Sequence, residues 1–389
     1  MPSVYLDHMA TTPADPRVVD AMLPYFGQRF GNPASRTHAF GWEAAEAVEE
    51  ARASVASLLG ARSAREVVFT SGATEANNLA IRGVVELGPG QPHIVTCATE
   101  HKSVLECCRS LERGGCRLTV VPVDGHGIVD LDALAGALGP ETVLVSIMVA
   151  NNETGTLQPL EEIGRITRAH GVVWHADAAQ AAGKVALDLG GAEWGPDLLS
   201  LSGHKMHGPK GVGALYVRSR RPRVRLRPQV EGGGQERGLR AGTLNVPGIV
   251  GLGVACRLCA REMTAERERL EALRDLLLAR LEVLGGVQLN GHPTQRLANC
   301  LNVSFAGVDG ARLITAFRDL AVSAGSACAS GESTPSHVLR AMGVGEALAS
   351  ASLRFGLGRW TSVEEVDYAA LRVVEEVRRL RGTAAPGPA

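Results

Sequence analysis

From Glu66 onward the chain repeats one rhythm: a short apolar run, a loop of small or polar residues, then a segment with apolar positions three and four apart. The runs 67–70, 93–97, 117–122, 142–149 and 172–176 predict buried strands, and the segments 102–113, 131–138 and 159–170 predict the helices between them. Such alternation predicts an open, largely parallel α/β sheet covered on both faces. Ahead of it, Val4-Tyr5-Leu6 predicts an extended start. Asp15-Pro16 predicts an N-cap followed by proline at the first helical position, and an amphipathic helix spans about 41 to 59, closed by Gly60. Beyond it, strand-like runs at 198–201 and 214–217 flank a Gly/Pro-rich turn. A long helix from about 251 to 284, rich in Glu/Arg pairs, leads to a smaller α+β unit. That unit is read as strand 300–305, helices 310–319 and 336–342, strand 352–357 and helix 362–380, with Ser362 and Glu365 spaced as a capping box. The expected division is a large domain of 15–255 and a small one of 1–14 with 256–389, ending in a disordered tail from 382.

With 389 residues and 45% hydrophobic content the chain can bury a large core. A formal charge of −1 gives no bulk attraction to nucleic acid or an anionic membrane. No apolar run reaches the length of a membrane span, and the start MPSVYLDHMATTP lacks a secretory pattern, so a cytoplasmic location is expected. The eight cysteines are scattered and expected to be free thiols; Cys256-x-x-Cys259 sits in a helical pattern with no second pair, which predicts packing. The basic run Arg218, Arg220, Arg221, Arg223, Arg225 and Arg227 has no interleaved aromatics and reads as a solvated edge or partner face.

In such sheets ligands gather beyond the carboxyl ends of the strands. After 67–70 come Gly72-Ala73-Thr74, which open a helix whose free N–H groups suit a phosphate, or simply cap it. After 93–97 comes His101, a stacking or proton-moving group or a structural histidine. After 142–149 come Asn151 and Asn152, whose amides suit an oxygen ligand. After 172–176 comes Asp177, which needs a donor partner such as a pyridinium N–H, with Gln180 on the next turn. Ser202-Gly203-His204-Lys205 lies between turn signals, and Lys205 reads as a loop lysine or a Schiff-base lysine. Each feature is ambiguous alone. In this order they describe a pyridoxal 5'-phosphate pocket: Lys205 takes the aldehyde, Asp177 keeps the ring nitrogen protonated, His101 covers the ring, and Gln180 meets its oxygen. Thr74, Ser202 and His204 meet the phosphate. The glycine-rich turn 231–238, leading to Thr243, is a candidate to reach that phosphate in cis or from a second subunit.

The stretch 323–333 has no large apolar side chain to anchor it by burial. Its Cys328 reads as an incidental thiol in a small-residue turn or as a nucleophile able to visit two places. The runs Tyr5-Leu6-Asp7 with Ala10-Thr11-Thr12-Pro13, Thr70-Ser71-Gly72-Ala73-Thr74-Glu75, Glu100-His101-Lys102, Asn151-Asn152-Glu153-x-Gly155 and Asp177-x-x-Gln180 belong together with three further runs and two pairs. These are Ser202-Gly203-His204-Lys205, Gly232-Gly233-Gly234-Gln235-Glu236, Gly242-Thr243, Gly325-Ser326-Ala327-Cys328 and Arg354-Phe355. In this order and over nearly the whole chain they resemble the cysteine desulfurases of the class-V aminotransferase superfamily, in the group with the longer catalytic loop. The Arg-x-Gly-His-x-Cys context of the shorter-loop group is absent.

The resemblance implies a fold-type-I homodimer acting on L-cysteine, with the cofactor pocket built from Ala73, Thr74, His101, Asn152, Asp177, Gln180, Ser202, Gly203, His204 and Lys205. It implies that Lys205 and His101 shuttle protons, that the Cys328 thiolate takes the substrate sulfur as a persulfide, and that L-alanine leaves. Arg354 would grip the substrate carboxylate, with Asn152 and Asn32 alongside, and Thr243 would reach the neighbouring subunit's phosphate. The persulfide would pass to an acceptor protein for iron–sulfur assembly or for thiolation of transfer RNA or a cofactor, with no direct nucleic-acid or membrane binding and no metal. His8 and Met9 stand at variable positions and receive no role. The chain stops soon after its last predicted helix, so scaffold docking through a longer tail is not expected. Two other readings compete: a pyridoxal phosphate lyase or aminotransferase that does not use Cys328, and a sulfur carrier or scaffold partner with a vestigial pocket.

Overall fold

The computed structural model describes residues 3–191, 193–220, 223–323 and 335–382. Cys328 with nearly all of its expected loop, Arg221, and the expected tail apart from Gly382, which instead ends helix Val363–Gly382, lie outside the described residues.

The apolar runs become strands β1 (Val4–Tyr5), β2 (Val67–Thr70), β3 (His93–Cys97), β4 (Arg117–Val121), β5 (Thr142–Ser146) and β6 (Val173–Asp177). They continue as β7 (Leu198–Ser202), β8 (Gly213–Val217), β9 (Val287–Leu289), β10 (Cys300–Phe305), β11 (Leu320–Ala321) and β12 (Ser352–Gly356). Seven of them form the main sheet in the order β2-β8-β7-β6-β5-β3-β4. All its paired strands are parallel except at β8, which is antiparallel to both neighbours. Alternate side chains of one strand face opposite ways. Val67 and Phe69 therefore join the core under helices Ala39–Leu58 and Val246–Glu282, while Val68 joins the core under helices Ala73–Val85 and Lys102–Arg113. With both faces covered, the strands read as continuous apolar runs. The strand order reverses between β3 and β5, so the loops after those strands diverge and leave a crevice at the carboxyl edge.

The second unit is an antiparallel sheet β12-β10-β9, backed by helix Val363–Gly382. The 37-residue helix Val246–Glu282 packs into the first core as far as Cys259 and into the second from Leu270. It starts five residues before the expected Gly251, because Asn245 caps it by accepting from the Gly248 N–H. Gly253 lets it lie against helix Ala39–Leu58: a Cβ there would sit 2.6 Å from the Ala51 Cα. Strand β5 ends at Ser146, earlier than 149, because the Met148 N–H turns aside to donate to buried Glu100 at 2.7 Å. The expected helix 310–319 closes at Thr315. The Asp15 cap and the Ser362–Glu365 box form as expected, and Cys256 and Cys259 pack against Met206.

Two basic or glycine-rich stretches differ from their expected roles. Arg218, expected at a solvated edge, is 3% exposed and pairs with Asp197 at 2.6 Å; its neighbours Val224 and Leu226 are also buried, which draws this segment onto the sheet. In the glycine-rich turn Glu236 and Arg237 take positive φ angles of 47° and 59°. That twist turns the Glu236 carboxylate inward, where both oxygens accept from Arg52 at 2.8 Å and one also accepts from the Phe69 N–H. The Arg52 guanidinium also lies 4.6 Å from the centre of the Phe69 ring. Removing one partner of a buried pair strands the other charge. Glu236→Ala is therefore expected to lower stability by about 3–5 kcal/mol, read as a shift of the urea midpoint at unchanged m.

Candidate active site

At the carboxyl edge of the main sheet a cleft of about 570 Å³ opens, the size of a small cofactor with its substrate. The loops after β2, β3, β5, β6 and β7 each deliver a side chain to it. Ala73, Thr74, His101, Asn152, Asp177, Gln180, Ser202, His204, Lys205 and Arg354 all line it. Gly203 lies just behind, buried, its N–H donating to Val212.

Lys205 stands on a 3-10 turn, Gly203–Lys205, directly after β7. Its amine donates to the Met9 and Ala10 carbonyls at 2.6 and 2.7 Å. The N-terminal segment is clamped beside it by Thr12, whose hydroxyl donates to the His204 carbonyl at 3.0 Å and accepts from the His207 N–H at 2.8 Å. Burial, then the charges of Lys184 and Arg354, hold the Lys205 amine down at about 7. A large neutral fraction near neutral pH is what a nucleophilic amine needs. Burial, followed by Lys205, likewise lowers His204 to about 4, so a neutral ring faces the cleft.

Asp177 ends β6 and is 6% exposed. It accepts from the Ala179 N–H and from Asn77 Nδ2, each at 2.8 Å. The same Asn77 nitrogen donates to Ser103 Oγ at 2.9 Å, and Ser103 lies 2.8 Å from His101 Nδ1. That nitrogen also accepts from the Ser103 N–H. The neutral ring therefore carries its proton on Nε2, the atom left free of these bonds. Burial lowers the His101 pKa, against the opposing pull of Asp177.

Arg354 on β12 brings the second unit to the cleft. It donates to the Asn152 carbonyl and to Asp7, both at 2.9 Å, and its buried Nε has no partner among the described residues. Asn151 is buried and structural, donating to the Thr99 carbonyl. Two expected residues are not brought into the cleft of their own chain. Asn32 caps its own turn by accepting from the Ala34 N–H and lines a separate groove with Arg36 and Arg52. Thr243 lies exposed on the loop before helix Val246–Glu282. Cys328 lies outside the described residues. Conversely, Asn77, Ser103, Lys184 and the Met9 carbonyl carry weight that the sequence reading did not give them. Asn77 had one signal, its place four residues after Ala73 on a helix facing the sheet; a main-chain carbonyl leaves none.

The residues fit a pyridoxal phosphate. Asp177 has two neutral donors and, among the described residues, no basic side chain within ion-pair distance, which leaves it free to meet a pyridinium N–H. The Ala73 and Thr74 N–H groups open helix Ala73–Val85 without intrahelical acceptors, beside Ser202 and His204, as a phosphate requires.

The sequence matches the Aminotransferase class-V family over residues 4–369. It is 56% identical over 380 residues to the cysteine desulfurase IscS of Anaeromyxobacter sp. (strain Fw109-5), covering 97% of this chain and 93% of that one. The chain belongs to the cysteine desulfurases of the class-V aminotransferase family. Among solved structures, a NifS-like protein superposes with a TM-score of 0.89 at 39% identity, covering 97% of this chain and all of that one. SspA in complex with cysteine superposes with a TM-score of 0.82 at 37% identity, over 92% of this chain and all of that one. Enzymes of this family work with pyridoxal phosphate, the group whose requirements the cleft meets.

Proposed function

We propose that this chain removes sulfur from L-cysteine, with pyridoxal 5'-phosphate held on Lys205 and the sulfur taken up by Cys328. The observation that carries the reading is the convergence of Lys205, Asp177, His101 and Arg354 in one cleft, from the carboxyl ends of β7, β6 and β3 and from β12 of the second unit. When bound, the cofactor accepts the electron pair that leaves the substrate α-carbon. Asp177 meets the ring nitrogen, Gln180 the ring oxygen, and Ala73, Thr74, Ser202 and His204 the phosphate. Arg354 and Asn152 orient the substrate by its carboxylate. The Lys205 amine takes a proton from the α-carbon, and His101 Nε2 holds or returns one. The Cys328 thiolate bonds to the substrate sulfur as the Cβ–S bond breaks, and the carbon fragment is protonated to L-alanine. L-cysteine and a thiol thus become L-alanine and a persulfide, with no outside oxidant. The persulfide then passes to an acceptor protein for iron–sulfur assembly or thiolation.

The protein is proposed to act as a homodimer. Leu23, Phe26, Phe30, Phe40 and Trp42 are exposed together along one segment, an apolar patch that a second copy would cover. Asn32 and Thr243, outside their own cleft, would then serve the partner's. The described cysteines are all unpaired, which supports a reducing, cytoplasmic setting. The reading is tested by incubating the holoenzyme with L-cysteine and a thiol reductant; L-alanine and sulfide are expected in equal amounts, and sulfide without alanine would overturn it. Arg354→Ala is expected to raise KM for L-cysteine about 100-fold, the value of losing a charge-assisted hydrogen bond, with a smaller change in kcat.

A further inference from the structure

Lys184 lies one turn beyond Gln180 on the segment after β6. Its amine donates to the Gln180 main-chain carbonyl at 3.1 Å and to Gln180 Oε1 at 3.2 Å. Gln180 is 4% exposed, and its Nε2 donates to the Met9 carbonyl at 2.9 Å. That same carbonyl accepts from Lys205 at 2.6 Å. A lysine amine only donates and a carbonyl only accepts, so the Gln180 amide has one orientation here: oxygen toward Lys184, nitrogen toward Met9 and the cleft. Among the described residues no carboxylate lies within ion-pair distance of Lys184. A buried ammonium without an anion is unfavourable, and methionine would fill the same volume.

We propose that Lys184 is a positioning residue: it fixes the Gln180 amide with its N–H group toward the cleft and holds a positive charge beside the Lys205 amine. The inference rests on the reading of Lys205 as the residue that captures pyridoxal phosphate. An N–H at that place meets an anionic ring oxygen, whereas a flipped amide would set a carbonyl against it. The charge favours the neutral form of Lys205, second only to burial. Lys184 is surrounded by Cys259 and Glu266 of the long helix, Cys300 of β10 and the rings of His8, His204 and His207. Lys205 faces Arg354, Asp7 and Asp177 besides Lys184. Lys184 itself is lowered by burial to about 8.

The test is capture of pyridoxal phosphate by apo protein across roughly pH 6–9, followed by borohydride reduction and mass spectrometry of the Lys205 peptide, which does not depend on turnover. Capture needs the neutral amine, so in the wild type it is expected to rise with pH through about 7. Lys184→Met is expected to raise that midpoint by about one unit, because losing the neighbouring positive charge favours the charged Lys205 amine, whereas a role in packing alone would leave it unmoved. Retention of the cofactor on gel filtration falls about tenfold in the same variant. Lys184→Gln keeps a donor to Gln180 Oε1 without the charge, and is expected to raise the midpoint while retaining the cofactor. A wild-type midpoint in both variants with undiminished retention would overturn the inference. With Lys205→Ala as the blank, failure of the wild type to label Lys205 would instead overturn the underlying reading, and the inference with it.

Discussion

Lys205→Ala is expected to lower sulfur release from L-cysteine by about 10⁴-fold, the upper range for a group that moves protons in the transition state, and to leave no yellow chromophore after desalting. The amine is held by two main-chain carbonyls and kept substantially neutral near pH 7, which suits the proposed double role of one atom that holds the cofactor and carries a proton. Burial suits that double task and is unfavourable to a charged amine. Alanine removes a half-buried amine that makes two hydrogen bonds among the described residues, and the apo variant is expected to melt no lower than the apo wild type. The absorbance spectrum and the rate of sulfide formation check the first part, and differential scanning fluorimetry checks the second. Retained activity in this variant would remove Lys205 from the mechanism.

Cys328→Ala is expected to keep the chromophore and its response to L-cysteine while sulfide formation falls by about 10³-fold or more, as befits loss of a nucleophile. The two variants therefore separate cofactor chemistry from sulfur transfer. Wild-type activity without Cys328 would favour a lyase or aminotransferase that eliminates or transfers without a protein thiol. Mass spectrometry of the wild type after brief exposure to L-cysteine is expected to show one added sulfur on the peptide carrying Cys328, and none in the variant.

The sheet was legible because its strands are buried on both faces, so apolar runs and strand-end polar residues stood out against each other. Lys205, Asp177, His101 and Gln180 were found as strand-end residues and meet in one cleft. Helix ends were legible where a cap carries them, at Asp15 and at Ser362 with Glu365, and misplaced where a lone polar residue does the work, at Asn245. Arg218 was misread because a run of arginines looks solvated until its partner is known, and Asp197 lies on a different strand end. Asn32 was carried in by resemblance, and its side chain is used by its own turn. The supports of the site act on other residues and not on a ligand: no residue type or spacing marked Ser103 and Lys184, and Asn77 had only its place on the helix after β2.

The floor of the cleft has a consequence for how the chain becomes competent. Met9 and Ala10 meet Lys205 across separations of 196 and 195 residues, and Asp7 meets Arg354 across 347. These are among the most distant pairings the topology allows, and closing such long loops is entropically disfavoured until the intervening structure exists. Strand pairing within the sheet can proceed without them. In refolding, sheet formation should therefore precede competence for cofactor capture, leaving an interval in which the chain is folded by far-ultraviolet dichroism yet does not turn yellow.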